Sequence, residues 1–229
     1  MKRSKINHNL IEAVSFLSQM HFRLPPFAYW SPDKWTNCGH EYDEIRDNKL
    51  GWDVTDFGSG DYDQVGLLLF TIRNGNATDA RYPKPYAEKL LIVQEGQVTP
   101  YHFHWHKMED IINRGGGDLV MQLYNSTDDG GLADTSVHVS VDGQAVEVEA
   151  GGIIKLMPGE SITLTKGLYH QFWAENRPVL AGEVSAVNDD SADNRFYEPR
   201  GRFPAIDEDE PALYLLCNEY PGSTERNKV

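Results

Sequence analysis

The sequence predicts an all-β protein, one barrel or sandwich preceded by a helix and an extended arm. Three observations lead there. From about residue 50 onward the chain breaks into short apolar or alternating stretches separated by Gly, Asn and Asp. Among them, "VHVSVDGQAVEVE" sets Asp142-Gly143 between two alternating runs, the composition of a type I′ hairpin turn. Helical periodicity, by contrast, is confined to the first 20 residues.

In chain order, Ile6, Leu10, Val14 and Leu17 recur at helical intervals after Ser4, a residue type that caps helices. They predict an amphipathic helix over 5–20, packed on the body of the fold. "RLPPFAYWSPDKW" (23–35) mixes prolines with four aromatics and predicts an extended arm whose rings serve packing or a subunit contact. Strand candidates follow at 65–72, 88–97, 117–125, 135–159, 160–167, 169–175 and 179–187. The acidic patch at 207–210 reads as a solvated loop, 212–217 is apolar, and the last eight residues read as a disordered polar tail. Length alone is neutral between one large β domain and two small ones. With no internal repeat, the expectation is one domain: helix and arm (1–50), barrel (51–206) and C-terminal extension (207–229).

Composition excludes several classes of partner. Thirty-five acidic against 21 basic residues give a net charge of −14, which repels nucleic acid and anionic membrane surfaces. Asn7, His8, Asn9 and Glu12 interrupt the apolar stretch a secretion signal would need. "VGLLLF" and similar runs are far too short to span a bilayer. Cys38 and Cys217, distant and without CxxC spacing, suit two reduced thiols in a cytoplasm.

The chemistry concentrates in "TPYHFHWHKMEDIINRGGG" (99–117). Residues two apart on a strand share a face, so His102 and His104 present two imidazoles side by side. Glu109 lies close enough to return a carboxylate to the same pocket, and Gly115-Gly116-Gly117 predicts a sharp turn after it. His170, inside a later β run, is the best fourth ligand, whereas His8, His21, His40 and His138 lie in polar contexts. A lone histidine in a β protein is more often a hydrogen-bonded or surface residue; the alternate pair with a nearby glutamate reverses that preference. Spacing alone lets His106 replace one of the other two.

Gly96 through Gly116 reads G-x5-H-x-H-x4-E-x6-G, which resembles the first motif of the cupin superfamily at Gly96, His102, His104, Glu109 and Gly116. Gly159, Gly167 and His170 fall on the second motif, with Thr165 where proline is usual and Ala174 where asparagine is usual. "LPPFAYWSPDKW", "KPYAEKLLIVQEGQVTPYHFHWHKMEDIINRGGGDLVMQLYN" and "LYHQFWAE" resemble the D-lyxose isomerases more closely, over most of the chain. The resemblance implies a cupin double-stranded β-helix barrel of the jelly-roll type and a manganese-dependent aldose–ketose isomerase acting on D-lyxose and D-xylulose, commonly also on D-mannose and D-fructose, through a metal-stabilised cis-enediolate. It also implies His102, His104, Glu109 and His170 as ligands, Co2+ or Fe2+ as alternative metals, and a homodimer using the arm.

 

Such a site suits that chemistry. A divalent cation held by three nitrogens and one carboxylate keeps two octahedral positions for the O1 and O2 of an open-chain sugar. Isomerisation also needs a base near C1 and C2 and a group that moves protons between the oxygens. Lys107, between two ligand positions, is one candidate, since an amine near a dication is pushed toward its neutral form. Glu183, a carboxylate in the apolar run "VLAGEVSAV", is the other. The ordinary readings are a solvated lysine and an outward-facing glutamate. Lys89, Tyr101 and Phe172 are candidate sugar contacts, while Trp105 alternates away from His104 and is assigned to packing. Two other functions fit the same ligands, an Fe(II) cupin dioxygenase and a sugar-binding cupin without turnover.

Overall fold

The computed structural model describes residues 1–189, 192–201 and 203–223, so most of the predicted disordered tail lies outside the described residues. Helix α1 (Arg3–Gln19) occupies the predicted stretch and buries Ile6, Leu10, Ala13 and Leu17. Each of the Ile and Leu side chains contributes roughly 1.5–3 kcal/mol by leaving water. Ser4 is not the cap: the N-cap position is Lys2, and the Ser4 N–H and hydroxyl donate to the Asp209 carboxylate at 2.9 and 2.7 Å. The 207–210 patch is solvent-exposed, as expected of a solvated loop, and also serves as a clasp on α1. Asp209 puts a negative charge on the positive end of α1, Glu208 accepts two hydrogen bonds from the buried Arg3, and Glu210 accepts one from Asn7.

The arm is not extended. It coils into a 3-10 turn (Pro26–Tyr29), α2 (Pro32–Trp35), a second 3-10 turn (His40–Tyr42) and α3 (Asp43–Asp47). Pro26 and Pro32 sit in the first turns of these elements, where a missing N–H costs nothing. Its rings do anchor it: Trp35 lies 4.1 Å from Tyr220, and Phe27 lies 5.5 Å from Phe70, centroid to centroid.

Eleven strands follow among the described residues: β1 (Gly51–Thr55), β2 (Leu67–Arg73), β3 (Tyr86–Val93), β4 (Thr99–His104), β5 (Glu109–Asn125), β6 (Val137–Val141), β7 (Gln144–Val148), β8 (Ile153–Leu156), β9 (Ser161–Leu164), β10 (Leu168–Ala186) and β11 (Asn194–Phe196). All pairings between them are antiparallel. They build the double-stranded β-helix barrel that the two motifs implied. The β6–β7 turn is the predicted type I′ hairpin, with Asp142 and Gly143 at φ 50° and 83°. β5 and β10 pair along nearly their whole lengths; β10 then meets β4 with its first half and β3 with its second.

Two apolar layers result. Leu67, Leu69, Leu91 and Val93 face the barrel interior, while Leu68, Phe70, Leu90 and Ile92 face α1. β2 and β3 are buried on both faces, which is why their sequences read as continuous apolar runs rather than alternations.

Two irregularities aim the site. The Gly115–Gly117 segment is no chain-reversing turn but a bend inside β5, where a Cβ on Gly116 would stand 2.1 Å from the Pro178 carbonyl oxygen. Opposite it, β10 bulges between Glu175 and Val179. Ala174 and Val179 both face the interior although five residues separate them in number, so the bulge switches the inward parity of β10 from even to odd. Without that switch His170 and Glu183 would point to opposite faces.

Candidate active site

The barrel interior brings side chains from β3, β4, β5 and β10 to one cavity. His170 stands directly across from His102, and Glu183 directly across from Lys89. One ring nitrogen from each of His102, His104 and His170 lies within 4.8 Å of the others. Glu109, the first residue of β5, sets Oε1 at 3.3 Å from both His104 Nε2 and His170 Nε2.

The rings are oriented by the backbone. His102 Nδ1 meets the Pro100 carbonyl at 2.8 Å and His170 Nδ1 meets the Leu168 carbonyl at 3.0 Å. A carbonyl only accepts, so each Nδ1 carries the proton and each Nε2 presents its lone pair to the cavity. Burial pushes His170 down to about 4 against the pull of Glu109, and burial beside His170 and His104 takes His102 well below its ordinary value. These imidazoles are neutral at pH 7, the form that binds metal. His104 Nδ1 is buried without a hydrogen-bond partner. Three imidazoles and one carboxylate converging in a buried space fit a divalent cation.

Burial would raise Glu109, but the Lys107 ammonium and the His104 ring hold it well below the usual carboxylate range. Burial would lower Lys107, but Glu109 at 2.8 Å and Glu183 at 2.7 Å hold it above the usual lysine value. In the metal-free protein, then, Lys107 is an ammonium ion. The expectation of a neutral amine concerned the lysine beside a dication; without the ion, the two carboxylates keep the charge in place.

The strand β4 ends at His104, and the chain bends. Asp193 holds the bend, accepting from the His106 N–H at 2.7 Å and the Lys107 N–H at 3.1 Å. Alternation stops there, so His106 is exposed and takes no part in the cluster. Trp105 is 51% exposed, contrary to its assignment to packing, and only the edge of its ring meets Phe103. Lys89, Lys107, Glu183 and Phe172 line the cavity. Tyr101 does not; neighbouring His102 in sequence, it takes the opposite face and stacks edgewise on Tyr124. Thr99, Asn188 and Asp193 were not singled out by sequence. Thr99 lines the cavity with a buried, unpartnered hydroxyl, and Asn188 accepts from Lys107 Nζ at 3.2 Å. Nothing local marks either residue, because their neighbours come from other strands.

Residues 1–220 match the D-lyxose isomerase family. The chain belongs to that family. Among its relatives, the D-lyxose/D-mannose isomerase of Escherichia coli O157:H7 is 52% identical over 96% of this chain and 98% of its own. The D-lyxose/D-mannose isomerase of Serratia proteamaculans is 50% identical over the same shares. A sugar isomerase is therefore the enzyme class. The solved L-ribose isomerase of Cellulomonas parahominis, with L-ribose, shares the fold at a TM-score of 0.59 and 17% identity, over 90% of this chain and 98% of that one.

Proposed function

We propose that this sugar isomerase is metal-dependent and interconverts D-lyxose with D-xylulose and D-mannose with D-fructose. The observation that carries the reading is the meeting of a three-histidine, one-carboxylate cluster with the Lys107–Glu183 pair in one buried cavity. His102, His104, Glu109 and His170 would hold the metal, Mn2+ by preference, with Co2+ or Fe2+ as alternatives. A divalent ion held there would supply Lewis-acid polarisation of the sugar substrate.

The remaining chemistry belongs to the chain. Glu183 takes the proton from C2 of the open-chain aldose and returns it to C1 of the enediol. Lys107, hydrogen-bonded to Glu183, carries the O2 proton to O1, so that two hydrogens change place and none is lost. Lys89 binds a sugar hydroxyl, and Phe172 packs on the carbon chain. Tyr101, turned away on Tyr124, has no part in this assignment. Among the described residues no helix is long and apolar enough to cross a membrane. Together with two buried cysteines that form no disulfide, this supports a cytoplasmic enzyme. A homodimer through the arm completes the proposal, with light scattering as its check.

The deciding experiment incubates the Mn2+-loaded protein anaerobically with D-lyxose and a panel of pentoses and hexoses and identifies the products. Ketose formed without oxygen supports the isomerase and removes the dioxygenase. No conversion of any sugar overturns the proposal.

A further inference from the structure

The two lysines of the cavity share one neutral acceptor. Asn188 Oδ1 accepts from Lys89 Nζ at 2.6 Å and from Lys107 Nζ at 3.2 Å. The same ammonium groups approach Glu183 Oε1 at 3.6 and 2.7 Å, so Asn188 and Glu183 each touch both cations. Asn188 lies two residues past the end of β10, on a segment without ladder pairing of its own. What fixes it is Asn74, just beyond the end of β2. The Asn188 N–H donates to Asn74 Oδ1 at 3.0 Å, and Asn74 Nδ2 donates back to the Asn188 carbonyl at 2.9 Å. Asn74 is in turn tied to Asn48, each side-chain amide donating to the other's backbone carbonyl, at 3.2 and 3.3 Å. Asn48 and Asn74 are both buried.

We propose that Asn188 is a positioning residue for isomerisation: its amide oxygen, fixed by Asn74, sets the Lys89 and Lys107 ammonium groups at their spacing around Glu183. The proposal rests on the assignment of Lys107 and Glu183 to proton transfer. An amide suits the task because it accepts from two cations without adding charge to a cavity that already holds two carboxylates. An aspartate there would keep the acceptor, and an alanine would leave two buried ammonium groups each short of a hydrogen bond. Asn188 acts through the lysines and takes no proton itself.

The test is a double-mutant cycle on the metal-loaded protein, pairing Asn188→Ala with Lys89→Met, with Asn188→Asp and Asn74→Ala alongside. For D-lyxose, Asn188→Ala is expected to lower kcat about 10- to 100-fold, since small misplacements of reacting groups cost on that scale, while KM changes less than about threefold. Metal content stays at the wild-type level, and Asn188→Asp, which keeps the acceptor but adds a charge, recovers part of the loss. Asn74→Ala gives a smaller loss of the same kind. In the Lys89→Met background, Asn188→Ala costs at least threefold less than alone, because one of the two contacts is already gone. Wild-type kcat in Asn188→Ala, or losses that multiply independently in the two backgrounds, overturns the proposal. The same cycle read by thermal unfolding reports the coupling without any turnover. If the wild-type protein converts no sugar, non-additive melting shifts still support the shared contact, while additive shifts overturn it; the failed functional reading is then recognised separately.

Discussion

Glu183→Gln keeps the shape of the side chain and removes its basicity. It is expected to lower kcat about 10²- to 10⁴-fold while metal content remains unchanged, because Glu183 touches the lysines and is no proposed ligand. Steady-state ketose assay and metal analysis of the same preparation check both halves. At this scale the cluster of side chains was legible: alternate histidines share a face, and Glu109 and His170, named as candidates with them, meet them in the cavity. The position of His106 was not, because the bend that expels it is held by Asp193, 87 residues away. Nor was the charge of Lys107, which depends on Glu183, 76 residues away.

The hairpin of β6 and β7 was legible because its instruction is local: two residues that tolerate positive φ between two alternating runs. The length of β10 was not. Asn176-Arg177-Pro178 has the composition of a loop, and the sequence reading accordingly split one 19-residue strand into two. Neighbouring β5 pairs with β10 on both sides of the bulge, and that pairing carries the strand through. The bulge has a testable role. Deleting Asn176 removes the odd residue and turns Glu183 away from His170; the expected result is a loss of activity of at least about 100-fold with the β-sheet circular dichroism retained. Wild-type kcat/KM in the deletion variant would sink the parity account.

For the whole molecule, acid should destabilise the metal-free protein earlier than it destabilises ordinary carboxylate pairs. An unfolded histidine binds its proton near pH 6.5, whereas His170 in the fold waits until about 4. Between those values the unfolded state holds more protons, so stability falls as pH falls, by about 3 kcal/mol from His170 alone. Glu109, held low in the fold, adds its loss only below its ordinary value of 4.5. Thermal melts of chelator-treated protein between pH 7 and 4 check the window; a flat midpoint across it would contradict the burial account. Arg3→Ala breaks the clasp on α1 and is expected to cost about 2 kcal/mol, or roughly 4–8 °C in Tm, since the arginine is buried and its partners are partly wet. The barrel itself was legible from punctuation and motifs, but the clasp was not, as an acidic run looks the same whether solvated or bound. That clasp has a consequence for synthesis on the ribosome. Arg3 waits for Glu208 and Glu219, 205 and 216 residues later in the chain. At about 5–20 residues per second the helix emerges roughly 10–40 s before its carboxylate partners exist. The first element translated is thus among the last to be locked, and a ribosome stalled before those acids leaves α1 with its apolar face in place of a seal.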